Sequence, residues 1–173
     1  DNKRYLFDFR NQKFLFVYDI FRFINMIMER KNKMLKGIPN ILTPELLKIL
    51  MEMGHGDELV IADGNFPSQR IGQRVVRLDG HNVPEIMEAI LKLFPLDTYA
   101  VPVALMEKVP GDTVETPIWD TYKAIIKDHT KEDVEFVERY AFYERAKDAY
   151  AVIATSEKAL YANIILKKGV VTE

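Results

Sequence analysis

The sequence predicts an α/β fold, a three-layer α/β/α sandwich around a central, largely parallel or mixed sheet. Short apolar runs such as "DELVIAD" (57–63) and "AYAVIATS" (149–156) have strand length without polar alternation, as strands covered on both faces do. Amphipathic stretches with helix start and stop signals alternate with those runs. A third observation is continuity: from residue 34 onward no repeat, linker or low-complexity tract interrupts the pattern. Helices and buried strands in alternation imply layers around one core.

The elements follow in order. "LTPELLKILMEMGHG" offers Thr43 as N-cap, Pro44 at the first helical position and Glu45 in the first turn. Leu46, Leu47, Leu50 and Met53 form its apolar stripe, and Gly54 fits the position just past its end. "DELVIAD" is the first strand and "QRVVRLD" (73–79) the second. "NVPEIMEAILKLFPL" (82–96) reads as a helix opened near Pro84 and closed by Pro95. "YAVPVALMEKV" (99–109) is extended. "PIWDTYKAIIKDH" (117–129) and "KEDVEFVERYAFYERAKD" (131–148) contain helices. "AYAVIATS" and "YANIILKKG" (161–169) supply two final strands.

Residues 1–33 differ in character. They hold six of the ten phenylalanines, no Gly or Pro, and a net charge of +4, against −6 for the other 140 residues. A basic aromatic segment suits an amphipathic membrane or transit helix, although four acids and the lack of serine weigh against transit. The reading preferred here makes 1–33 an N-terminal extension that is not part of the functional domain, which runs over 34–173 from "MLKGIPN".

Composition narrows the chemistry. The net charge of −2 is unlike the basic footprint of a nucleic-acid binder. There is no cysteine, hence neither disulfide nor thiolate metal site, which fits a cytoplasmic protein. No apolar run reaches the roughly 18–20 residues that span a bilayer. GxGxxG, GxxxxGK[ST], GxSxG and HExxH are all missing, so the common nucleotide, esterase and metal fingerprints do not apply. Neither metal nor cofactor is expected.

What remains is "EMGHGDELVIADGNFP" (52–67), with polar groups at both ends of a buried strand. His55 suits either a helix C-terminus, where it complements the dipole, or a site. Asp63 suits either an Asx-turn or a ligand. Fully extended, the seven residues between them hold the two about 20 Å apart. They meet within one chain only if Gly54–Glu58 folds back; otherwise each serves a site shared with a neighbouring copy. His81 reads as a loop residue and His129 as a solvated one. Further along, "RYAFYERA" (139–146) and "YAN" (161–163) add Arg139, Tyr140, Tyr143, Arg145, Tyr161 and Asn163. Of these, Arg145 reads as a surface ion pair with Glu144 or Asp148.

"MLKGIPNILTPELLKILMEMGHGDELVIADGNFP", "RYAFYERA" and "YANIILKKGV" together resemble the fucose mutarotase/D-ribose pyranase family, in the right order from Met34 to Val170. The resemblance implies a cofactor-free isomerase that interconverts the α and β anomers of L-fucose. It implies pentameric rings, commonly paired as decamers, with sites near subunit contacts. It makes His55 the catalytic acid, Asp63 and Arg139 sugar-binding residues, and Tyr161 and Asn163 further members, with Tyr161 either binding a hydroxyl or assisting proton transfer. One departure and one distinguishing residue matter. Ala162 stands where the family usually has glycine, and Arg139 stands where the pyranase branch usually has histidine, which favours fucose over ribose. A pyranase-like pyranose–furanose isomerase and a non-catalytic sugar-binding protein are the alternatives. The implied chemistry suits an imidazole, a side chain that titrates near 6.5 and exchanges protons at neutral pH.

Overall fold

The computed structural model describes residues 34–172, so the expectation for residues 1–33 lies outside the described residues. Residues 34–40 form turns, with the Met34 amide donating to Asn40 Oδ1 at 3.2 Å. A second compact unit begins at Ile41 and carries every helix and strand described here.

Among the described residues five helices and six strands alternate. They are α1 (Pro44–Glu52), β1 (Glu58–Ala62), α2 (Ser68–Ile71), β2 (Val75–Leu78), α3 (Val83–Leu91), β3 (Val103–Met106), α4 (Pro117–Ile126), β4 (Glu135–Val137), α5 (Arg139–Asp148), β5 (Ala151–Thr155) and β6 (Ile164–Lys167). The strand order is β2-β5-β1-β6-β3-β4. β1 runs parallel to β5 and antiparallel to β6, which in turn is antiparallel to β3. β5 and β2 are parallel, as are β3 and β4. The sheet is therefore mixed, with β6 alone reversed, and the carboxyl ends of the other five strands share one edge.

Both faces of the sheet are covered. Val60 and Ala62 of β1, Val152 of β5 and Ile165 of β6 pack with Phe142 and Ala146 of α5, Ile71 of α2 and Phe66. Alternation sends Leu59, Ile61, Ile153 and Ile164 to the opposite face, and all four are fully buried. There α3 packs on β1 and on α4. Thr43 Oγ1 caps α1 as expected, accepting from the Leu46 amide, and α3 opens on a capping box formed by Asn82 and Glu85.

One expectation, the partner of Arg145, needs correction, and three details go beyond what the pattern indicates. "KEDVEFVERYAFYERAKD" contains the expected helix, Arg139–Asp148, and ahead of it Glu135–Val137 is the edge strand β4, whose three residues are too short to show a period. The one-turn helix α2 was not anticipated. Gly54 lies just past the end of α1 as expected; the helix closes through extended Met53, and the left-handed glycine of this loop is Gly56, at φ 87°. Arg145 pairs with neither Glu144 nor Asp148. Its guanidinium grips Glu58 of β1 through two 2.8 Å hydrogen bonds and also reaches Glu135 of β4.

Candidate active site

β1 carries a candidate residue beyond each of its ends. At its amino end, Gly56 donates to the Lys168 carbonyl and Lys168 to the Asp57 carbonyl, both at 2.8 Å. Those bonds continue the β1–β6 pairing through the "GHGD" loop, so the loop runs on along β6 and does not fold back toward Asp63. His55 and Asp63 stay at opposite edges of the sheet, separated by a strand roughly 17 Å long.

At the His55 edge, Nε2 lies 3.2 Å from Asp97 Oδ1, and the ring meets Tyr99 edge-on with centroids 5.5 Å apart. Asp97 is buried while the His55 side chain is half exposed. The Asp97 carboxyl is held below the usual carboxylate range, chiefly by the Tyr99 amide and also by His55, against burial. A carboxylate only accepts, so the pairing puts a proton on Nε2 and leaves Nδ1 without a hydrogen-bond partner among the described residues. Asp97 itself is fixed by backbone: its amide donates to the Lys167 carbonyl and Gly169 donates to Pro95. A methyl group on Gly169 would lie only 2.3 Å from the Leu96 carbonyl oxygen, so the close approach requires glycine. Asp97 was missed in the sequence because nothing local ties "PLDTY" to "GHG" 42 residues earlier.

The opposite edge gathers the other four candidates. Asp63 and Asn163 form a reciprocal pair: the Asp63 amide donates to Asn163 Oδ1, and Asn163 Nδ2 donates to Asp63 Oδ2, each at 2.9 Å. Asp63 Oδ1 also accepts from the Asn65 amide at 2.9 Å, which makes the Asx-turn. Both side chains are about 95% buried. Burial pushes the Asp63 carboxyl up, against the hydrogen bonds it accepts. Asn163 spends its amide on Asp63 and, weakly, on Met106 Sδ, which makes it a holder of the carboxylate.

Tyr161 is two residues before Asn163 in the "YAN" turn. Its φ of 56° is left-handed, a conformation that costs a non-glycine residue roughly 1–2 kcal/mol. The turn is clamped by Trp119 Nε1, which donates to the Tyr161 carbonyl, and by the Tyr122 hydroxyl, which donates to the Ala162 carbonyl, both at 2.8 Å. Ala162 is fully buried and its φ is not positive, so this turn does not need glycine there. Arg139 opens α5, where Glu138 caps by accepting from the Tyr140 and Ala141 amides. Its guanidinium stacks over Tyr140 at 4.7 Å and donates to the Tyr140 hydroxyl at 2.8 Å. Arg139 Nε is buried without a hydrogen-bond partner.

A cavity of ≈ 290 Å³ opens at this edge, walled in part by Asp63, Phe66, Arg70, Arg77 and Thr155. A larger one of ≈ 460 Å³, walled by Thr98 and 127–132, contains none of the five candidates, so size alone does not select it. Among the described residues no cluster of His, Asp and Glu could hold a metal ion, and no helix is long and apolar enough to cross a membrane.

The sequence profile of the RbsD/FucU transport protein family matches residues 36–171. This chain belongs to that family. It is 54% identical over 144 residues to the fucose mutarotase of Danio rerio, covering 79% of this chain and 94% of that protein. Among solved structures, FucU from Bifidobacterium longum superposes with a TM-score of 0.77 at 62% identity, covering 79% of this chain and all of that one. The fucose mutarotase of Streptococcus pneumoniae, solved in complex with L-fucose, gives 0.76 at 50% identity over 80% of this chain and all of that one. The mixed six-stranded sheet is thus the RbsD/FucU fold.

Proposed function

We propose that this chain is an L-fucose mutarotase that interconverts the α and β anomers without metal or cofactor. The observation that carries the reading is the arrangement at the carboxyl edge of β1, where Asp63, Tyr161 and Asn163 converge beside α5, which Arg139 opens. Its support is the likeness to fucose mutarotases at 50% identity or more, one of them solved with L-fucose.

Anomer exchange needs a proton on the ring oxygen while the anomeric hydroxyl loses one. The C1–O5 bond breaks, the open aldehyde turns about C1–C2, and O5 re-adds to the other carbonyl face. His55 is assigned the proton delivered to O5, through Nδ1, with Asp97 holding the ring by Nε2. Asp63 and the Arg139 guanidinium take sugar hydroxyls, and Asn163 keeps Asp63 aimed. Tyr161 serves the anomeric hydroxyl. A site built on hydrogen bonds rejects sugars that lack those hydroxyls.

His55 lies at the wrong end of β1 to reach a sugar on Asp63 of its own chain. The site is therefore composite, with His55 supplied by a second copy. Such a contact joins two different faces, and head-to-tail contacts of that kind form rings where the rotation between neighbours closes. Large aromatics stand exposed at both faces, Tyr99 beside His55 (80% exposed) and Tyr140 beside Arg139 (63%), which suits burial against a neighbour. A pentameric ring, alone or paired as a decamer, is the assembly proposed. Residues 34–173 are the proposed catalytic domain, with 1–33 outside it, consistent with a family match over 36–171. A cytoplasmic location agrees with the lack of cysteine.

The test is saturation-transfer NMR between the two anomeric protons of L-fucose. The wild-type chain should transfer saturation, and His55→Ala should abolish it while leaving assembly intact. Exchange by His55→Ala equal to wild type removes His55 from the mechanism, and pyranose–furanose exchange with D-ribose in place of fucose exchange would refute the substrate.

A further inference from the structure

Beyond the five candidates, one acidic side chain reaches the same edge from a distant loop. Tyr161 Oη donates to Asp112 Oδ2 across 2.5 Å, a pairing of residues 49 apart in sequence. The loop that delivers Asp112 is built for the purpose. Its "VPGD" is a type II turn, with Pro110 and Gly111 at the central positions, Gly111 at φ 87°, and the Asp112 amide donating to the Val109 carbonyl at 3.0 Å. An Asx-turn follows, in which Asp112 Oδ1 accepts from the Val114 amide at 2.9 Å, and Lys108 Nζ ties down the Val114 carbonyl at 3.1 Å. One carboxylate oxygen thus anchors the loop while the other is left for Tyr161.

The direction of the hydrogen bond decides what Tyr161 can do. A carboxylate has no proton to give, so the single phenolic proton points at Asp112. The pairing holds Asp112 below the usual carboxylate range and holds Tyr161 above the usual phenol value. The Val109 amide approaches the phenol oxygen from another side at 3.4 Å. Toward a sugar, Tyr161 therefore offers a lone pair and no proton.

We propose that Asp112 is the positioning residue that fixes Tyr161 as the proton acceptor for the anomeric hydroxyl, with Asp112 as the end of the relay. The inference rests on the mutarotase reading of the site. On ring opening the O1–H proton passes to Tyr161 Oη as Tyr161 passes its own to Asp112 Oδ2, while the imidazolium protonates O5. The C1–O5 electron pair goes to O5, the O1 pair forms the carbonyl, and closure on the other face returns both protons. Nothing is consumed. Tyr161 acts on the base side only, and ring-oxygen protonation falls to His55.

Asp112→Asn tests this while preserving the Asx-turn, since an amide oxygen also accepts from Val114. Saturation-transfer NMR on the full chain should show kcat for fucose exchange down by at least tenfold with KM nearly unchanged. Asp112→Glu should recover part of the loss. With the tyrosine ring carbon next to oxygen labelled, Asp112→Asn should lower the pH at which Tyr161 titrates. Tyr161→Phe should lose exchange, and the double variant should be no worse than Tyr161→Phe alone. Wild-type exchange in Asp112→Asn, or a Tyr161 titration that does not move, overturns the role of Asp112 while leaving the site reading standing. Wild-type exchange in Tyr161→Phe overturns both.

Discussion

At the residue scale, the candidates divide by what already occupies their polar atoms. Asn163 has none to spare, so it works by orienting Asp63, whereas Arg139 keeps Nε unpaired and His55 keeps Nδ1. Asp97 decides the latter, because an ionised carboxylate on Nε2 selects the tautomer. Asp97→Asn should reduce fucose exchange within the roughly 10²–10⁴-fold that positioned proton transfer supplies, with sugar affinity retained. An unaltered rate in that variant would show that His55 orients itself. The sequence made His55, Asp63, Arg139, Tyr161 and Asn163 readable because each sits in a short motif resembling a known family. Asp97 and Asp112 were hidden for a physical reason. Each is an acid in an ordinary turn, and its meaning comes from a contact across 42 or 49 residues that no local pattern encodes.

At the element scale, the site depends on backbone approaches that side-chain patterns do not announce. β6 extends past Lys167 to bring Gly169 against Leu96 and Asp97. Gly169→Ala forces a methyl group into backbone, and overpacking of that kind typically costs about 1–3 kcal/mol. The variant should unfold at lower urea and also lose exchange, because the displaced segment carries Asp97; loss of neither would mean the approach is slack. Helices α1 and α3 were legible from Thr43, Pro44 and Pro84, whose start chemistry is local. β4 was not, since a three-residue edge strand gets its identity from pairing with β3 and from the Arg145–Glu135 contact. The strain at Tyr161, held by Trp119 and Tyr122 from α4, was equally invisible.

For the whole molecule, one ion cluster joins elements far apart in sequence: Glu58 of β1 meets Arg145 of α5 and Lys167 of β6, and Arg145 also meets Glu135 of β4. Burial pushes the Glu58 carboxyl up, yet Arg145 and Lys167 together outweigh it and hold Glu58 below the usual glutamate value of 4.5. The unfolded chain then binds this proton first as pH falls. Stability from Glu58 is fully present above about 4.5 and is lost as pH drops through its lower folded value. Urea midpoints measured from pH 6 to 3 should fall on acidification, and Glu58→Gln should flatten that fall; an unchanged acid limb would assign acid sensitivity elsewhere. The same view of the whole chain separates His55 from Asp63 by the length of β1, and the claim that two copies complete each site rests on this. Mixing unfolded His55→Ala and Tyr161→Phe chains, refolding them together and measuring fucose exchange by saturation transfer tests it most directly. Each variant alone should be inactive, and the mixture should regain about a quarter of wild-type exchange, because random head-to-tail neighbours pair an intact His55 with an intact Tyr161 at that frequency. Mixed assemblies that form but stay as inactive as the separate variants would contradict the account.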